Sequence, residues 1–260
     1  MAQAGVALSV AWGIALAAWL HAGPASAQEG TGRPGGTTGA SQAPPATCET
    51  LSARLNSGDS AARLTAAEEL LRQNCHPVPP AIVSALREGR WDAGTEIVPS
   101  DRARLASVGM QYRFAGAETL AVAALEEGQW PDGEMLDISS GAVLLRGLKY
   151  ALTPYRVNLL LDIYDQREHP LVRSSVIQAL DGATAPEALL PVLDAYFHEE
   201  AATQAAAIEV LSKQPEGAPT EVLARVIRHL PKGRALEWAV RLAREHPTPQ
   251  LDAAVKERGL

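Results

Sequence analysis

The residues of this chain that could carry chemistry are six histidines, two cysteines, a few clustered carboxylates and a pair of repeated tryptophans. His198-Glu199-Glu200 is the one place where two carboxylates directly follow a histidine in sequence. It lacks the second histidine four residues on that a helical HExxH zinc site needs to present two imidazoles on one face. His76, His169 and His246 each precede proline, a placement that suits turns, and His21 lies in the apolar N-terminal stretch. Neither the G-x-S-x-G turn of a serine hydrolase nor a phosphate-binding P-loop occurs. The residues therefore name no reaction, and neither a metal nor a cofactor is expected.

Cys48 and Cys75 are the two cysteines, and both follow a segment with the marks of an export signal. Met1 to Ala27 contains no Lys, Arg, Asp or Glu, Val6 to Leu20 is nearly all apolar, and Ala25-Ser26-Ala27 has the small-x-small cleavage pattern. Residues 1–27 are read as a signal peptide, with an uncleaved anchor as the alternative, and the mature chain is expected in a periplasm or outside the cell. An even cysteine count in an oxidising compartment predicts a Cys48–Cys75 disulfide. No later segment is apolar enough to span a membrane. Residues 28–47, rich in Gly, Pro and Thr, predict a flexible leader.

What must position these residues is a run of short helices. The Ala/Leu/Val-rich composition, 47% hydrophobic but only 5% aromatic, suits close-packed helices better than a β-sandwich. A formal charge of -7 with interspersed signs provides no basic stripe and argues against nucleic acid as partner. LLRGL (144–148), VIQAL (176–180) and AIEVL (207–211) place their final leucines 32 and 31 residues apart. Leu-Asp-x-Tyr recurs at Leu161 and Leu193, 32 residues apart. A longer unit precedes these: IVSALREGRWDAG (82–94) and AVAALEEGQWPDG (121–133) match at an offset of 39. Each long unit reads as a helix ended by Gly89 or Gly128, a Trp-bearing loop and a second helix. Pro154, Pro170, Pro186, Pro219 and Pro249 mark later helix starts. The expected architecture is all-α, an α-solenoid of about thirteen short helices. Residues 48–78 would form a capping αα-hairpin, 79–158 two long Trp units, and 159–260 short repeats.

Pro170, Val172, Arg173, Ala179 and Leu180, followed by Pro186, Glu187, Ala188, Leu189 and Leu193, carry a family resemblance. This unit resembles HEAT-like repeats, particularly the short kind first associated with phycobilin lyases, in which a Pro-x-Val-Arg helix is followed by one opening Pro-Glu-Ala. The resemblance implies a helical superhelix used for binding or scaffolding and implies no activity. Two sets of residues are candidates for contact with a protein partner of the cell envelope. The first is an edge built by the long loops: Trp91, Asp92, Glu96, Trp130, Asp132 and Glu134, in which each indole either faces a ligand or folds back over its own helix. The second comprises Asp162, Asp194, Arg225 and Arg228 on helices that line the concave side of HEAT-like solenoids, or simply form a solvated face. The competing functions are an envelope enzyme, lyase-like or a wall-polymer hydrolase, and a carbohydrate-binding module using the two tryptophans.

Overall fold

Thr47, Asp59, Asp137, Thr153, His169 and Thr248 each turn a side-chain acceptor toward a backbone N–H two or three residues ahead, and a helix starts at each. Pro80, Pro99, Pro154, Pro170, Pro219 and Pro249 occupy first helical turns, where a missing N–H costs nothing. The computed structural model describes residues 46–260, apart from Gly58, Asp92, Ala93 and Glu200. The expected signal segment, its cleavage site and most of the leader lie outside the described residues. Contacts divide the chain after Pro44, and everything described belongs to the unit Pro45–Leu260.

Thirteen α-helices and no strands are found among the described residues. They are α1 (Cys48–Arg54), α2 (Ser60–Arg72), α3 (Pro80–Glu88), α4 (Pro99–Gln111), α5 (Ala115–Glu127), α6 (Ile138–Gly147) and α7 (Pro154–Gln166), followed by α8 (Pro170–Ala179), α9 (Leu190–His198), α10 (Ala201–Leu211), α11 (Pro219–His229), α12 (Arg234–Glu245) and α13 (Pro249–Glu257). Short 3-10 turns cover Leu148–Ala151 and Pro186–Leu189. The second of these departs from the α-helical start expected at Pro186. Pro191 has no N–H to give the carbonyl four residues back, so Leu190 donates to Glu187 in a tighter turn before the α-helix begins.

Helices α2, α4, α6, α8 and α10 pack one on the next. The repeated pentapeptides close three of these helices, and their final leucines, Leu148, Leu180 and Leu211, are all buried in the shared core. Close approach in this row needs small residues: a Cβ on Gly147 would come within 2.5 Å of Met110 Cε and 2.8 Å of Ser107 Oγ. Beyond α10 the row changes. α11 packs on α9 and α13, while α12 packs on α9, α11 and α13. The indole of Trp238 on α12 reaches the Tyr164 ring on α7, with centroids 6.4 Å apart, which ties the C-terminal helices back to the middle of the chain.

At the N-terminus α1 and α2 form a hairpin, and a disulfide joins Cys48 to Cys75 with Cα atoms 5.8 Å apart. The bridge closes a loop spanning 27 residues, for which the chain-entropy scale allows up to about 3.6 kcal/mol. Reduction is expected to release this hairpin while leaving the core from α4 to α10 folded. Limited proteolysis under reducing conditions should then cut first ahead of Cys75.

Candidate functional site

At their described residues the two long loops share one set of backbone hydrogen bonds. Trp91 N–H donates to Thr95 O at 2.8 Å and Trp130 N–H to Glu134 O at 2.7 Å; Gly94 and Gly133 each donate back to their tryptophan carbonyl at 2.8 Å. Ile97 and Leu136 close the loops onto Gly89 and Gly128. Each loop is a miniature hairpin whose glycine, Gly94 or Gly133, holds φ of 76° or 89°. That left-handed residue after a tight turn explains the Trp-x-x-Gly spacing. Gly89 and Gly128, with φ of 66° and 71°, end the preceding helices.

Both indoles turn inward and are only 1% exposed. Of the two orientations left open for Trp91 and Trp130, folding back over the helix is the one found, and a carbohydrate reading loses its stacking platform with it. The physical reason is the thin core: the ring seals apolar surface at the end of a short helix, and that burial outweighs solvation of its one polar atom. Neither Nε1 has a hydrogen-bond partner among the described residues. Asp92 lies outside the described residues. Glu96, Asp132 and Glu134 are exposed at the loop surface, and Glu96 pairs in an antiparallel bridge with Arg90 as Met135 does with Gln129.

Arg102 of α4, which the sequence reading passed over, locks the second loop against the first unit. Its side chain is fully buried, donates through Nε and Nη2 to Leu86 O at 3.0 and 2.9 Å, and pairs through Nη1 with Asp132 at 2.9 Å and Glu134 at 3.4 Å. The guanidinium also lies over the Trp130 ring, 4.3 Å from its centroid. Burial pulls its pKa down and the Asp132 charge opposes this, so Arg102 remains a cation. A signal for the clamp did exist. Arg102 stands where the second unit has Gly141, while Asp132 and Glu134 stand where the first has Ala93 and Thr95, a set of coupled departures from the 39-residue repeat.

Around this rigid edge Met135, Val98 and Ile138 are 72%, 55% and 49% exposed, so the loops turn apolar side chains outward beside their carboxylates.

Asp194 of α9 belongs to a second place. It accepts from Tyr164 Oη at 3.1 Å, from Trp238 Nε1 at 3.4 Å and faces His198 Nδ1 at 3.3 Å. Arg173 lies over the Tyr164 ring and pairs with Glu199. Burial, then the charges of Asp194 and Glu199, push the Tyr164 phenol well above its ordinary value. With the folded pKa raised, the associated stability is complete below about pH 10, where an unfolded tyrosine ionises, and is lost as pH rises beyond it. The expected result is alkaline destabilisation that Tyr164→Phe removes, at a cost of about 1.5 kcal/mol at neutral pH for the lost hydrogen bond. Phenolate absorbance followed against pH, with denaturation of both proteins, checks this.

The remaining candidates are scattered. Asp162 is exposed on α7, while on α11 Arg225 pairs with Glu216 at 2.6 Å and Arg228 with Glu257 at 2.7 Å. The second candidate set is thus divided between separate surroundings, with Asp194 alone inside a polar cluster. In comparison with known proteins, no family model, no curated protein and no solved structure matches this chain.

Proposed function

We propose that the chain is an exported HEAT-like helical-repeat protein, a solenoid along α1 to α10, whose long-loop edge docks a protein partner of the cell envelope. The observation that carries this reading is the outward display of Val98, Met135 and Ile138 on two loops that are hydrogen-bonded alike, the second of them clamped by Arg102. Exposed apolar side chains on a preorganised surface lose little freedom on binding, which is where affinity is gained. Glu96, Asp132 and Glu134 beside them suit a partner with an apolar centre and a basic rim, and disfavour phosphate backbones. The successive packing of α2, α4, α6, α8 and α10 supports the solenoid. No helix among the described residues is long and apolar enough to cross a membrane.

The test is a photo-crosslinking side chain placed in turn at Val98, Met135 and Ile138 in the producing cell. A discrete adduct with one protein is expected from Met135, and Ile138→Glu should abolish it without lowering Tm, since exposed substitutions change stability by no more than about 0.5 kcal/mol. Absence of an adduct from all three positions would overturn the reading. Export is checked separately by sequencing the N-terminus of protein recovered from the envelope, which is expected to begin at Gln28.

A further inference from the structure

The C-terminal ends of α9 and α12 bring together two histidines that lie 48 residues apart in sequence. His198 is the last residue of α9, Glu245 the last of α12, and His246 the cap that follows it. His198 Nε2 stands 3.3 Å from His246 Nε2 and 3.4 Å from Glu245 Oε2. On its other side His198 Nδ1 faces Asp194 Oδ1 at 3.3 Å. A carboxylate facing Nδ1 favours the tautomer with the proton there, which leaves Nε2 as a bare lone pair. With the His246 proton on Nδ1 as well, His198 Nε2, His246 Nε2 and Glu245 Oε2 present three acceptors to one another. Such a grouping calls for a cation.

We infer that His198 and His246, completed by Glu245 and water, form a binding site for a divalent transition-metal ion of the zinc class. The spacing suits this and also a long hydrogen bond between the two rings. An N–H···N contact at 3.3 Å is longer than the ordinary bond of about 2.9–3.0 Å. A zinc ion about 2.05 Å from each nitrogen would instead see the 3.3 Å separation under an angle of ~107°, close to tetrahedral. The 3.4 Å separation to Glu245 corresponds to ~110° on the same basis.

The surroundings agree with a cation. Asp194, behind His198, is itself held by Tyr164 and Trp238, the carboxylate-histidine arrangement that orients a metal-bound imidazole. The Phe197 ring stacks on His246 with centroids 4.2 Å apart, fixing the second imidazole. Two helix C-termini, each the negative end of its dipole, point at one spot. The adjoining cavity, about 690 Å³, is lined by Glu168, Asp194, Glu199 and Glu245 against Arg173 and Arg241, an excess of two negative charges before His198 is counted. Among the described residues no three His, Cys, Asp or Glu side chains already form a cage. The site therefore has two imidazoles at its centre, and Glu245 joins through a small rotation of an exposed side chain.

The experiment uses the protein as the cell makes it, purified without a polyhistidine tag, titrated with Zn²⁺ by calorimetry and with Co²⁺ by visible absorption. One equivalent is expected to bind, with the intense Co²⁺ bands of tetrahedral coordination and a rise in Tm, because the ion ties α9 to α12. His198→Gln and His246→Gln should each weaken binding at least tenfold and remove the Tm rise. Asp194→Asn should weaken it less, and His229→Gln, on α11, should leave it unchanged. The two site histidines are partly exposed, and circular dichroism of each variant confirms that it folds. Absence of saturable binding, or binding that survives both His198→Gln and His246→Gln, overturns the inference.

Discussion

Replacing Arg102 by alanine is expected to lower the unfolding free energy by about 4 kcal/mol, within the range seen when one member of a buried charge network is removed. Several losses combine. Leu86 O belongs to the last turn of α3, where carbonyls lack helical partners, and Arg102 supplies both of its donors. The positive group at this helix end also interacts favourably with the dipole. Asp132 and Glu134 lose their cation, although both retain access to water, which moderates the penalty. Arg102→Met separates packing from charge. It refills most of the volume but leaves Leu86 O unsatisfied, so a loss of about 2 kcal/mol is expected. Asp132→Asn should cost less than either, because Glu134 remains within reach of Nη1. Chemical denaturation of the three variants checks the order, and a cost below about 1 kcal/mol for Arg102→Ala would remove the clamp from the account of this edge. Repeat arrays can unfold in stages, so the measurement needs two probes that agree.

Trp130→Ala is expected to destabilise by about 4–5 kcal/mol and Trp91→Ala by about 3–4 kcal/mol, the usual range for emptying a buried aromatic site. The difference reflects Arg102, which lies over Trp130. A double-mutant cycle between Arg102 and Trp130 should therefore return a coupling of about 1 kcal/mol. Phenylalanine should be tolerated far better at both positions, with a loss below about 1.5 kcal/mol. The smaller ring leaves a gap, yet it also removes an indole N–H that finds no partner among the described residues. These variants separate anchoring from contact. If the loops bind through Val98, Met135 and Ile138, Trp130→Phe should retain the crosslinked adduct, whereas a loss of the adduct with unchanged stability would return the indole to the interface.

What the sequence determined alone is the local architecture. Helix starts follow from Pro154, Pro170, Pro219 and Pro249 and from caps such as Thr153 and Thr248, because a missing N–H or a nearby side-chain acceptor acts within one turn. The two 39-residue units were legible as a helix, a Trp-bearing loop and a second helix, since Gly89 and Gly128 each meet a backbone requirement close to themselves. The disulfide followed from there being only two cysteines to pair. Tertiary structure decided everything that depends on what lies across a helix interface. Whether Trp91 and Trp130 face outward or inward is a contest between burial and solvation, settled by the neighbouring unit. Arg102 reads as an ordinary helical arginine until Asp132, Glu134 and the Trp130 ring are placed around it. His246 reads as a turn residue before proline, and only the packing of α12 on α9 sets its Nε2 beside that of His198. Backbone preferences act over a few residues and are written where they act. Meetings between polar side chains depend on how successive helices are rotated and offset, and those small angles accumulate over the whole chain before any two such groups come together.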